Sequence, residues 1–130
     1  MTMAFNLLRG LATLCGLLMV VMGLNFILDP AAAVAQLGMP LLPGDQGRST
    51  QLGDLTAFFL SMGAMILLGT WTGNRTWLYA AVMLMGGTAL FRTLAYALHG
   101  ADFATQEIVV EVISSIILLL MASKLPAKPV

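Results

Sequence analysis

Long apolar runs, broken by isolated polar residues, dominate this chain. Charge-free stretches cover residues 10–28, 55–74, 76–91 and 112–123, which are 19, 20, 16 and 12 residues long. A transmembrane helix needs about 20 mainly apolar residues, so the first two stretches span unaided. The third spans only by taking in Arg92 and running to about Leu98. The fourth spans only by starting near Ala104 and taking in Glu107 and Glu111. The pattern predicts an all-α, polytopic membrane protein, a single bundle of four transmembrane helices at 5–28, 51–71, 76–98 and 104–124 with a long loop at 29–50. Two spans plus two interfacial helices is the competing arrangement. It calls for a strongly polar face on each later segment, and neither has one.

Local chemistry supports these boundaries. Asp29-Pro30 ends the first helix, because proline disfavours helical geometry in the residue before it. Residues 31–37 are good helix formers and can make a short amphipathic turn before Pro40 and Pro43-Gly44, which mark a loop. Thr72-Gly73-Asn74-Arg75 is a polar turn flanked by Trp71, Trp77 and Tyr79, as aromatics flank a headgroup boundary. His99-Gly100-Ala101-Asp102 forms the next turn, and Pro126 stops the last helix. The first helix reads as retained rather than cleaved, since its charged start is weak and its apolar run exceeds a usual signal core.

Composition sharpens the membrane reading. Hydrophobic residues make up 59% of 130 and charged residues 9%, with six Lys+Arg against six Asp+Glu. A soluble domain carries about 25% charged residues. Disorder would need the opposite balance, and there is no basic excess for nucleic-acid binding. The bilayer is thus the first expected partner. Arg9, Arg75, Lys124 and Lys128 fall on one side of a four-span topology, against Arg48 on the other. Positive charge marks the cytoplasmic side, so both termini are expected in the cytoplasm and the 29–50 loop outside.

Four charges remain inside the expected spans: Asp54, Arg92, Glu107 and Glu111. Intramembrane charges are costly, face the protein interior and mark function. Arg92 and Glu111 each lie about seven residues from the same hairpin turn, hence roughly 10 Å below the same surface at 1.5 Å per residue. This predicts an Arg92–Glu111 ion pair, with bidentate geometry open to it. Glu107 shares the Glu111 face, Tyr96 and His99 share the Arg92 face, and Asp54 and Asn25 enter from neighbouring helices on the same side. These seven residues are the candidate binding site, in the outer half of the bundle. The structural reading stands beside it: an arginine with acids around it can be a satisfied network that fixes packing. Cys15 and ten methionines read as packing residues. Asn74-Arg75-Thr76 is a glycosylation sequon on the expected cytoplasmic side. Ala12/Gly16 and Ala57/Ser61 are small-residue pairs suited to close helix contact. No metal-ligand spacing, nucleophile elbow, P-loop or dinucleotide fingerprint is present, so no cofactor or reaction is named.

Four segments carry a family resemblance. They are Gly23-Leu24-Asn25-Phe26-Ile27-Leu28-Asp29-Pro30, Gly53-Asp54-Leu55-Thr56-Ala57-Phe58-Phe59-Leu60, Ala89-Leu90-Phe91-Arg92 with His99-Gly100, and Val110-Glu111-Val112. Together they resemble a bacterial domain-of-unknown-function family of small four-helix membrane proteins, broadly DoxX-like. The resemblance implies a four-helix bundle in a bacterial inner membrane, with signature positions at Asp54, Arg92 and Glu111, and implies no activity. Three functions compete. One is a pocket for a lipophilic molecule with a polar or anionic head, such as a quinone, terpenoid or lipid. Another is an accessory subunit packed against other membrane subunits. The third is a small dimeric transporter, which the lack of an acid early in helix one and of an inverted repeat disfavours.

Overall fold

The computed structural model describes residues 2–127. Lys128, counted above toward orientation, lies outside them. Five helices follow in order: α1 (Met3–Leu28), α2 (Pro30–Gln36), α3 (Gln46–Thr72), α4 (Arg75–His99) and α5 (Thr105–Ser123). All but α2 are long and apolar enough to cross a membrane. At 1.5 Å per residue, the shortest, α5 with 19 residues, rises about 28 Å, close to a bilayer core of about 30 Å. Only 22% of each spanning window is buried inside the protein. Leu7, Val21, Ile27, Met83 and Phe91 point outward. Such a surface is stable only with lipid as its solvent, so the chain is a multi-pass membrane protein.

The four spanning helices form a closed ring, α1 on α3, α3 on α4, α4 on α5 and α5 back on α1. One end carries Thr2, the α3–α4 turn and the end of α5; the other carries α2, the 37–45 loop and the α4–α5 turn. We call these the terminal end and the loop end. Gly73 (φ 66°) and Gly100 (φ 64°) close α3 and α4 in the left-handed conformation, which glycine adopts without a Cβ penalty. The Asn74 side chain accepts from the Thr76 N–H and caps α4. The sequon asparagine is therefore engaged as a helix cap.

The loop expected at 29–50 is shorter than its hydropathy implies. Asp29 accepts from the Ala32 N–H at 3.1 Å, and Pro30 occupies the first turn of α2, where its missing N–H costs nothing. Helix α3 starts at Gln46, five residues before the expected 51. Its polar first turns lie outside the apolar core and hold the loop instead. Arg48 Nε donates to the Leu42 carbonyl at 2.9 Å. The Gln51 side chain accepts from Leu42 N–H and donates to Pro40 O. Hydropathy marks where a helix meets lipid, not where it begins.

Helices α1 and α3 approach most closely through glycine. A Cβ on Gly16 would meet Leu67, one on Gly23 would meet Leu60, and one on Gly63 would strike Gly16 O at 2.8 Å and Val20 N at 2.9 Å. The matching partners run antiparallel in constant register. Gly16 lies in this seam and Ala12 is buried in the core, but Ala57 and Ser61 are exposed. Where every face of a helix is apolar, small-residue spacing alone does not reveal which face meets protein. At the terminal end the seam is closed by a polar triad. Trp71 Nε1 donates to Thr13 Oγ1 at 3.2 Å, Thr13 donates to the Arg9 carbonyl, and the Arg9 guanidinium sits 4.1 Å from the Trp71 ring centroid.

The two halves of the bundle differ in filling. The terminal half is a solid core around Ile66, Leu78, Leu118 and Met121. At the loop end Ala33 and Val34 of α2 pack on Phe26, forming a small plug. Between core and plug the bundle is hollow.

Candidate functional site

The hollow is a cavity of about 660 Å³ bounded by all five helices. Ligand pockets commonly span about 300–1,000 Å³. Its walls are mainly apolar: Met19 and Met22 from α1, Leu55, Phe58, Phe59 and Met62 from α3, and Met85 from α4. Phe26 stacks on Phe59 at 5.7 Å and Phe58 meets Phe59 edge-on at 5.3 Å, which stiffens that wall. Polar groups gather on the side made by α4 and α5: Thr88 and Arg92 on one helix, Gln106, Glu107 and Glu111 on the other. Gln36, at the end of α2, adds one amide from the plug.

Arg92 Nε donates to Glu111 Oε1 at 3.0 Å, the one ion pair among the described residues. The expected pair forms because the short turn at 100–104 brings α4 and α5 back in antiparallel register. It is not bidentate. The guanidinium approaches side-on through Nε, and its terminal nitrogens make no hydrogen bond among the described residues. Glu111 Oε2 is buried and has no partner. An unpaired buried acceptor is costly, so this pair is not a fully satisfied structural clamp. The Arg92 and Glu111 side chains are 29% and 15% exposed, and both line the cavity. Thr88 donates to the Leu84 carbonyl of its own helix, which leaves its oxygen as an acceptor toward the cavity.

Of the seven residues singled out from the sequence, Arg92, Glu107 and Glu111 line the cavity. The other four do not. Asp54 is exposed on α3 and pairs with neither Arg92 nor any other cation among the described residues. Asn25 is half-buried on α1, where its backbone carbonyl accepts from Asp29. Tyr96 is exposed and packs edge-on against Phe103 at 5.3 Å, covering the α4–α5 turn. His99 is exposed in the last turn of α4. The reason is shared by Tyr96 and His99: α4 runs on past the cavity, so a face that points inward at Arg92 emerges into the surroundings one to two turns later.

Sequence reasoning missed Gln36, Thr88, Gln106, the two phenylalanines and the four lining methionines. Thr88 had a signal, since it lies four residues before Arg92 on the same helix face. The methionines had none, because thioethers fill gaps and line flexible pockets alike. Among the described residues no group of three His, Cys, Asp or Glu side chains is placed to hold a metal ion. No protein-family model matches the chain, and neither a curated protein nor a solved structure matches it significantly.

Proposed function

We propose that this protein binds a lipophilic small molecule in the loop-end half of its bundle, with Arg92 facing the polar head. One observation carries the reading: a cavity of about 660 Å³ whose walls are mainly apolar, with its polar groups gathered around an incompletely paired Arg92–Glu111 couple apart from the Gln36 amide. A bundle that needed only packing would fill this space, as its terminal half does, because cavities cost stability in proportion to their volume. The proposal places the chain in a bacterial inner membrane, in keeping with its resemblance to small DoxX-like membrane proteins. Both termini face the cytoplasm in this reading, supported by Arg9, Arg75 and Lys124 at the terminal end against Arg48 at the loop end.

The test is extraction and mass spectrometry of what co-purifies with the protein. A lipophile enriched over bulk lipid, and lost in Arg92→Ala, supports the reading; bulk lipid alone in both proteins overturns it. A stoichiometric protein partner in place of a lipophile would make the chain an accessory subunit instead. Topology reporters at the two termini test orientation, and an external C-terminus overturns it.

A further inference from the structure

The cavity is walled off from the surrounding lipid on one side by very little. A groove of about 530 Å³ runs along the outside of the α3–α4 seam, and it shares three lining residues with the cavity: Phe58, Thr88 and Arg92. Its outer rim is Met83 and Phe91, which are 77% and 66% exposed and face lipid. The seam is tight elsewhere. Near the α3–α4 turn, a Cβ on Gly69 would meet Leu78 at 2.7 Å. Nine residues further along α4, at Gly87, a Cβ would meet nothing within 4 Å. Glycine inside a helix costs about 1 kcal/mol relative to alanine, and no close helix contact requires it here. Its missing side chain keeps the groove open.

The charges on the lining restrict what fits. The cavity presents one guanidinium, Arg92, and two carboxyls, Glu107 and Glu111. Two carboxyls face one guanidinium, so acidic groups outnumber basic ones in the lining, which is a poor setting for holding an anionic head away from water. Arg92 also lies seven residues before the end of α4, about 10 Å below that end, beneath the level where phospholipid headgroups sit.

We infer that the cavity is filled sideways from the bilayer, across the α3–α4 seam at Gly87 and Phe91, by an uncharged amphiphile with a hydroxyl or carbonyl head. The head accepts hydrogen bonds from the free terminal nitrogens of Arg92, and the apolar body lies against the methionine and phenylalanine wall. The inference rests on the binding reading above and is separable from it.

Photolabelling in phosphatidylcholine vesicles tests it, with a diazirine-tagged long-chain fatty alcohol and the matching fatty acid as probes. In the wild-type protein the alcohol labels the segments bearing Met62 and Met85, and the acid labels them less. Gly87→Trp, which fills the groove, abolishes that labelling. Phe91→Ala, which removes only a lipid-facing ring, raises its initial rate. Gly10→Trp, a control with equally open surroundings on α1, behaves as wild type. Absence of cavity labelling by both probes overturns the binding reading and this inference together. Cavity labelling that neither Gly87→Trp nor Phe91→Ala alters overturns the lateral route alone. Labelling by the acid equal to or above the alcohol overturns the uncharged head alone. If Gly87→Trp fails to fold, the Phe91→Ala rate decides the route.

Discussion

Arg92 on α4 and Glu111 on α5 meet through one hydrogen bond of 3.0 Å, Nε to Oε1, and each keeps polar atoms that the protein does not use. The pair is both a helix-to-helix tie and an open valence toward the cavity, and mutagenesis separates these roles. Arg92→Ala leaves Glu111 uncompensated in a low-dielectric setting and lowers thermal stability in detergent. Glu111→Gln keeps an acceptor for Nε and costs less. Side-chain hydrogen bonds within membranes are worth about 0.6 kcal/mol on average and up to about 1.7, so a double-mutant cycle of Arg92→Ala with Glu111→Ala, in which each single variant removes the bond, should return a coupling in that range. Zero coupling would mean that the two side chains do not interact in the folded protein.

The α1–α3 seam predicts opposite outcomes for two glycines on the same helix. Gly63→Ala places a methyl group against the backbone of Gly16 and Val20, which no rotamer change relieves. Overpacking of this kind costs about 1–3 kcal/mol, and Gly63→Ala should lower the melting temperature. Gly53→Ala meets nothing within 4 Å and gains helix propensity, so it should leave melting unchanged or raise it. Equal effects from the two would contradict the seam.

At the terminal end, Trp71→Phe keeps a ring beneath Arg9 but removes the donor to Thr13. The loss expected is about 0.5–1 kcal/mol, the net worth of one hydrogen bond. Thr13→Val loses this bond and its own bond to the Arg9 carbonyl, so it should cost somewhat more, and the double variant little more than Thr13→Val alone, because the Trp71–Thr13 bond is common to both. Fully additive melting shifts would show that the Trp71–Thr13 contact is not formed.

Asp54 and Glu107 are both acids inside the expected spans, yet the structure separates them. Asp54→Asn changes an exposed group off the cavity and should leave both melting and fatty-alcohol photolabelling as in wild type. Glu107→Gln removes one negative charge from the cavity lining and should shift probe preference toward the fatty acid. If Asp54→Asn changed labelling and Glu107→Gln did not, the site would lie elsewhere on the bundle.

The contrast between these two acids shows what the sequence made legible. Arg92 and Glu111 were paired by counting residues back from one turn, since helix rise converts sequence distance into depth along a short hairpin. Glu107 followed from sharing a helix face with Glu111. Asp54 shares their side of the bundle but not their direction, because the side follows from the number of residues and direction follows from helix rotation. In an amphipathic helix rotation shows as a polar stripe. Helix α3 is apolar on every side through its middle, and nothing in its pattern distinguishes lipid from protein. The same gap explains Ala57 and Ser61, a small-residue pair that faces outward while Gly63 carries the contact.

The sequence by itself determined that the chain crosses a membrane, that it does so four times as helices, and which ends of those helices lie together. These follow from hydropathy, length and turn chemistry, all of which are local. Only the tertiary structure decided which faces meet, that one half of the bundle is solid and the other hollow, and that the seam between α3 and α4 opens beside Gly87. Those features depend on how helices rotate and pack against one another. Lipid and protein interior are equally apolar, so that choice is set by shape complementarity rather than by the hydrophobic pattern.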